Sequence, residues 1–378
     1  MATPAPELNI PPSTATVNVS IINTTGTIRG VNTWKFVEPS IKGHDWLSTP
    51  CYAFLIQHPT LNRSLVFDLG IKKDLENLPP HLLERFKQSG YTVDVPKHVR
   101  EILDEGGVDT KSIEAVIWSH WHFDHTGNPS TFDPNTKLIV GPGCKEKIFP
   151  GYPDNPTAAF LQKDVEGREI VSLDFAQAPL AIGRFDAIDY FGDGSFYLLD
   201  SPGHAVGHVC GLARVTTSAH PNDNDSFILM GGDAVHHGGE LRPHPYLPLP
   251  GAIAPHPFTA AAHAACPGEL FETVLRDGRD QPFYLPAAPP SVHYDVPEMI
   301  ESIKKLQECD AHDNILVVPA HDAALLSIAD FFPHYANDFA AKGWVKKARW
   351  AFLKDFAEAV GYKGEIANPY DFSPVVKN

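Results

Sequence analysis

The sequence predicts a mixed fold of β-strands and helices around a sizeable core. Three observations carry that expectation. Short apolar runs recur along the chain, at residues 51–57, 64–67, 113–118, 227–230 and 315–319, and a turn-forming residue follows most of them. Helical spacing appears at 96–105, stopped by Gly106 and Gly107, and at 297–308. A chain of 378 residues with 43% hydrophobic and 20% charged residues can bury such elements in one large domain or two modest ones.

In chain order, residues 1–15 are rich in proline and predict an irregular tail. Residues 16–23 (TVNVSIIN) alternate as a strand. An aromatic loop at 32–47 carries Trp34, Phe36, Trp46 and Leu47, whose side chains either tuck onto the core or line a pocket. Strand 64–67 runs into Asp68, which either orients a ligand histidine or forms a simple turn with Gly70. Helix 96–105 leads to strand 113–118, and a short strand is expected at 137–140. Residues 168–200 predict several short strands, including a hairpin turning at Gly192-Asp193-Gly194. Strands at 206–215 and 227–230 come next.

Residues 240–296 differ from their surroundings in their proline and alanine content, and they carry Tyr246, Phe258, Phe271 and Tyr284. So many rings argue against a flexible linker, and an ordered insertion over one face is expected, partly helical at 267–276. Helix 297–308, strand 315–319 and C-terminal helices over 323–361, notably 345–360, complete the chain.

A formal net charge of -16 argues against nucleic acid or an anionic membrane as partner, since both reward clustered Lys and Arg. No basic, apolar leader opens the sequence, and no apolar stretch is long enough to span a bilayer. Cys51, Cys144, Cys210, Cys266 and Cys309 are odd in number and scattered, as expected of reduced thiols in a cytoplasmic protein.

The chemistry concentrates where strand 113–118 ends, in Ser-His-Trp-His-Phe-Asp-His-Thr-Gly-Asn at 119–128. His120, His122, Asp124 and His125 fall within six positions, and histidine is only 19 of 378 residues. Imidazole nitrogens and a carboxylate oxygen suit zinc. Three further strand ends bear a metal-competent side chain: His204, Asp233 and His321. Each alone reads as a hydrogen-bonded histidine or a turn aspartate. Together with the first cluster they supply His120, His122 and His204 for one ion and Asp124, His125 and His321 for a second, with Asp233 placed to bridge.

The motifs HWHFDH, SPGHAVGH, GGDAV and PAHD, in this order, resemble the metallo-β-lactamase superfamily of dinuclear metal hydrolases over roughly residues 16–325. The resemblance implies an α+β fold, an αββα sandwich of two mixed sheets with helices outside, formed by one domain over 16–378. It carries the ligand set over as assigned and makes His208 structural. SHWHFDHTGN is most similar to N-acyl-homoserine lactone lactonases and related fungal lactone or lactam hydrolases. One departure stands out. Those lactonases commonly place a tyrosine three residues after the bridging aspartate, and here that position is His236, followed by His237. His236 either hydrogen-bonds the substrate and protonates a leaving group, or is a solvated loop residue.

The expected function is therefore opening of a cyclic ester by a hydroxide held between two divalent ions, zinc first and Mn, Fe or Co otherwise, with Asp124 also a local proton acceptor. Alternatives are a cyclic amide or carbamate hydrolase, a non-catalytic metal-binding protein, and a glyoxalase II-type thioesterase whose substrate meets Lys346, Lys347 and Arg349. Trp34, Trp46, Trp121, Phe123, His236 and Tyr246 are expected to line the pocket, which predicts a hydrophobic or aromatic small-molecule substrate.

Overall fold

In the computed structural model, residues 2–177, 180–219, 224–259, 265–367 and 370–375 are described. Alternation along the central strands decides the architecture. In strand Pro50–His58, Phe54 and Ile56 join one buried cluster while Ala53 and Leu55 join another. In strand Ser226–Gly232, Ile228 and Met230 share the first cluster, and Phe227 and Leu229 face away into a third. Strands buried on both faces need a layer on either side. The chain meets that need with two sheets face to face and helices outside, the αββα sandwich that the resemblance implied.

One sheet has seven strands, in the order Thr92–Asp94, Asn18–Arg29, Pro50–His58, Arg63–Phe67, Ile113–Ile117, Lys137–Val140 and Ile170–Ser172. Its first four strands pair antiparallel and its last four parallel. The other has six strands, in the order Ile315–Pro319, Ser226–Gly232, Val209–Thr216, Phe196–Asp200, Phe185–Asp189 and Leu180–Ile182, with only the first pair parallel. Helix Val296–Asp310 covers the outer face of the six-stranded sheet through Met299, Ile303 and Leu306. Asp295 caps it by accepting from the Glu298 N–H at 3.0 Å. Helix Val99–Glu105 covers the other sheet through Val99 and Leu103.

Several expected boundaries shift for identifiable reasons. Strand 16–23 becomes Asn18–Arg29, because its far end gains a partner in Thr92–Asp94. The single helix expected at 345–360 is instead a short α-helix, Trp344–Ala348, and a 3₁₀ segment, Ala351–Phe356. Trp344 and Ala348 fill the core between the sheets, whereas Trp350, Phe352 and Phe356 fill the cluster under the insertion. One straight helix presents one apolar stripe and cannot serve both. The helical part of the insertion shrinks from 267–276 to Gly268–Phe271, beside the paired strands Ala252–Ile253 and Cys266–Pro267. A side chain at Gly268 would collide with the Pro250 carbonyl, so glycine permits that close approach.

The insertion is anchored on the C-terminal segment. Leu249, Ile253, Phe258, Phe271, Phe283 and Tyr284 pack against Trp350, Phe352, Leu353 and Phe356; residues 260–264 lie outside the described part. Residues 2–15 carry no regular structure, yet Leu8 is buried and its carbonyl accepts from the Gly183 N–H at 2.6 Å. All five cysteines are buried and free. Among the described residues no helix is long and apolar enough to cross a membrane.

Candidate metal centre

Strands Ile113–Ile117, Ser226–Gly232 and Ile315–Pro319 are followed by the segments that carry His120 to His125, Asp233 and His321, and the turn after Phe196–Asp200 adds His204. The seven sequence-predicted ligands converge as two groups that share Asp233. One is His120, His122, His204 and Asp233, the other Asp124, His125, Asp233 and His321, and within each the ligand atoms lie within 4.8 Å of one another. The shared carboxylate divides its oxygens. Asp233 Oδ2 lies 3.9 Å from His120 Nε2 and 3.6 Å from His204 Nε2. Asp233 Oδ1 lies 3.1 Å from His125 Nε2 and 3.2 Å from His321 Nε2.

On His321 and His125 the far ring nitrogen is committed elsewhere, which sets the orientation of the ring. His321 Nδ1 donates to the Pro50 carbonyl at 2.7 Å. His125 Nδ1 donates to Asp68 Oδ2 at 2.9 Å, and Asp68 also accepts from the Ser119 N–H and hydroxyl, each at 2.7 Å. Of the two readings of Asp68, the orienting one is therefore the geometry found. Asp68 sits at φ +59°, a left-handed conformation that aspartate and asparagine tolerate better than most residues. His208 is structural: its Nε2 accepts from the Asp233 backbone N–H at 3.0 Å, while Nδ1 lies 3.0 Å from the Ser201 carbonyl.

The electrostatics ask for a cation. Burial holds His120 and His204 well below the ordinary imidazole range and brings His122 to about 4, so these rings are neutral and offer lone pairs at neutral pH. Burial works the same way on His125 and His321, but the Asp233 carboxylate outweighs it and lifts both well above the usual value. Positive charge is thus favoured between Asp233 and these two rings. His120 Nε2, His125 Nε2 and Asp233 Oδ1 are also buried without a hydrogen bond, which is costly unless something else satisfies them. Neutral imidazoles, two carboxylates and inward-facing orphan atoms fit divalent metal ions.

A first test follows from Asp68. Asp68→Asn keeps the shape and the left-handed backbone but turns an NH₂ or a weaker acceptor toward the His125 N–H. It is expected to weaken metal binding at the Asp124, His125 and His321 group by about 10- to 100-fold, read by chelator competition, with little change in folding.

A cavity of about 520 Å³ opens on His122, Asp124, His204, Asp233, His236 and His321, and Phe36, Leu47, Leu82, Phe86, Trp121 and Phe123 give it an apolar wall. Trp121, Phe123 and His236 thus stand where the sequence predicted. Trp34, Trp46 and Tyr246 do not line the cavity, and this corrects the expectation. Trp34 is 58% exposed and donates to Asn32 Oδ1, Trp46 bridges back to Asn32, and Tyr246 packs edge-on to His244. The 32–47 loop reaches the cavity through Phe36 and Leu47 instead. His236 is buried, contacts the Phe36 ring at 4.8 Å between centroids and lies 3.3 Å from Asp233 Oδ2, so it is no solvated loop residue. Lys346, Lys347 and Arg349 lie away from the cavity, and Arg349 pairs with Asp313.

Sequence reasoning missed one wall, the helix Pro80–Ser89, which contributes His81, Leu82, Arg85 and Phe86. Its signals were present: Pro80 in the first turn, an amphipathic run, and Gly90 closing it at φ +70°. A further cluster, His44, His237 and Asp355, lies behind the site. There the Gly239 N–H donates to His237 Nδ1 at 3.0 Å, so His237 Nε2 carries its proton toward Asp355, 3.2 Å away. That is a hydrogen-bonded pair rather than a ligand set.

The model of the metallo-beta-lactamase superfamily matches residues 49–321. The chain is 44% identical over 372 residues to gamma-lactamase FDB1 of Fusarium pseudograminearum (strain CS3096), covering 96% of this chain and 88% of that protein. It is 47% identical over 245 residues to gamma-lactamase MBL2 of Gibberella moniliformis, covering 64% of this chain and 100% of that protein. At 42% over 362 residues it also matches cytochrome P450 monooxygenase mpaDE' of Penicillium brevicompactum, spanning 94% of this chain but 39% of that protein's length. A solved structure of a B. thuringiensis AiiA variant with N-decanoyl-L-homoserine at its active site shares the fold. Its TM-score is 0.54 at 15% identity, over 85% of this chain and 99% of that one.

Proposed function

The chain belongs to the metallo-β-lactamase superfamily of hydrolases, and we propose that it opens a cyclic amide or carbamate fused to an apolar or aromatic body. The observation that carries this choice of ring is the 44% identity, over 96% of the chain, to a protein named a gamma-lactamase. The cavity supports it. Its aromatic wall suits a flat, apolar substrate, and the clustered histidines and carboxylates open on the same space.

In this reading His120, His122 and His204 would hold one divalent ion, Asp124, His125 and His321 a second, and Asp233 would belong to both groups. Bound there, the ions supply Lewis acidity toward a carbonyl and a water made nucleophilic at neutral pH. The chain's own residues do the rest. Asp124, on the cavity wall, takes up a proton from the attacking water. His236 lines the cavity with its Nε2 3.3 Å from Asp233 Oδ2, and in this reading it turns an N–H to the substrate carbonyl or to the departing nitrogen. Breaking a C–N bond requires that proton more than breaking a C–O bond does. Phe36, Trp121 and Phe123 exclude water and set the ring's orientation.

Lactone opening is the second reading, favoured by the SHWHFDHTGN stretch, and it uses the same groups. A panel of γ-lactams, cyclic carbamates, lactones and thioesters, assayed with the zinc-loaded protein, separates them. Ring opening of the lactams or carbamates is expected to give the highest kcat/KM. Turnover of lactones alone selects the second reading, and turnover of thioesters alone refutes both.

A further inference from the structure

We propose that His293, in the Pro-rich insertion, is a positioning residue that fixes the metal-binding tautomer of His204 and ties that ligand to the loop forming the substrate wall. The proposal rests on the metal reading above. It starts from a hydrogen-bond chain. His293 Nε2 lies 2.8 Å from the Phe36 carbonyl oxygen. A carbonyl only accepts, so Nε2 carries the hydrogen and, in the neutral ring, Nδ1 is a bare acceptor. His204 Nδ1 is 3.3 Å from that nitrogen. The contact is attractive only if His204 Nδ1 donates, which leaves His204 Nε2 with its lone pair.

That lone pair points into the site. His204 Nε2 lies 3.0 Å from His122 Nδ1 and 3.6 Å from Asp233 Oδ2. Two ring nitrogens and a carboxylate oxygen so arranged are suited to share a cation, and a ring held in the other tautomer would aim a hydrogen at its place. His125 and His321 get the same service directly, from Asp68 and from the Pro50 carbonyl. His204 receives it through a second imidazole that starts 89 positions away in the sequence.

The relay ends on a wall of the cavity. The Phe36 carbonyl also accepts from the Ala287 N–H at 2.8 Å, and strand Val37–Glu38 pairs with Leu285–Pro286 of the insertion. The Phe36 ring lines the cavity and packs on His236. His293 is buried, with its ring centroid 5.2 Å from that of His236 and its backbone N–H donating to Ser291 Oγ at 3.3 Å. Insertion, aromatic loop and metal ligand are therefore one hydrogen-bonded unit, and the segment that shapes the substrate also sets the ligand.

The test compares His293→Phe, which keeps an aromatic ring but no hydrogen bonds, with His293→Gln, whose amide can accept from His204 and donate to the Phe36 carbonyl. Wild type and both variants, matched for folded content by near-ultraviolet circular dichroism, are titrated with zinc against a chelator and with cobalt(II) followed by its visible spectrum. His293→Phe is expected to weaken one of two binding steps by about 10- to 100-fold and to change the cobalt spectrum of that step. His293→Gln should recover most of the affinity and the spectrum. If the wild type takes up two ions and the two variants bind alike, whether like wild type or equally weakened, this proposal alone is overturned. A wild type that takes up no divalent ion overturns the metal reading with it.

Discussion

Asp233→Asn is expected to abolish hydrolysis, with a fall in kcat/KM beyond the roughly 10²- to 10³-fold cost of removing a single oxyanion donor. The reason is the division of its two oxygens. His120, His204 and His236 approach Oδ2 at 3.9, 3.6 and 3.3 Å, while His125 and His321 approach Oδ1 at 3.1 and 3.2 Å. Burial opposes ionisation of this carboxyl, but His125 and His321 hold it well below the usual carboxylate range, so it is an anion at neutral pH. An amide has the same outline, no charge, and an NH₂ where one group needs an acceptor. Both metal groups are damaged by one atom's exchange. Thermal unfolding supplies an independent readout. A ligand at 100 times its Kd adds about 2.7 kcal/mol to stability, so zinc should raise the wild-type midpoint and leave that of the variant unmoved. A variant that binds two ions and keeps more than about a tenth of wild-type turnover would refute the bridging role and the arithmetic behind it.

What the sequence could reveal follows from how far its signals reach. His120, His122, Asp124 and His125 lie on one short turn, and His204, Asp233 and His321 each follow an apolar strand. Their grouping needed only the rule that such strand ends meet at one sheet edge. Asp68 was legible to within two alternatives, because a strand-end aspartate before a glycine has few roles. The pocket wall was not legible in the same way. An aromatic side chain signals burial but not its partner, and so Phe36 and Leu47 reach the cavity while Trp34, 58% exposed, does not. His293 meets His204 only after the insertion folds back, and no local pattern marks it. The helix Pro80–Ser89 had clear end signals, but nothing in its sequence says that Arg85 and Phe86 face a cavity. Periodicity at 345–360 likewise shows apolar spacing without showing that two different cores divide it.

Asp310→Asn is expected to destabilise the fold by about 3–5 kcal/mol, the usual cost of breaking a buried ion pair by removing one partner. Arg242 lies at 7% exposure and Asp310 at 2%, joined by Arg242 Nε to Asp310 Oδ2 at 2.7 Å and a second, parallel bond. His244 Nε2 lies 3.2 Å from the same carboxylate, and Arg242 Nη1 donates to the Arg349 carbonyl at 2.8 Å. The pair thus ties the start of the insertion to the end of helix Val296–Asp310 and to the C-terminal segment. Burial alone would raise the Asp310 carboxyl, but Arg242 outweighs it and holds the group well below the usual range. A depressed folded-state value means that the contribution is complete above the unfolded carboxylate value of about 3.9 and declines as pH falls below it. The difference between wild type and variant in urea unfolding should therefore be constant from pH 5 to 8 and shrink in acid. Replacing both partners, as Asp310→Leu with Arg242→Met, should cost less than the single change, because no charge is left buried alone. Two residues before Arg242, the Glu240 carboxylate accepts from the His236 N–H at 2.6 Å. A single variant within about 1 kcal/mol of wild type at neutral pH would show that the fold does not depend on this pair.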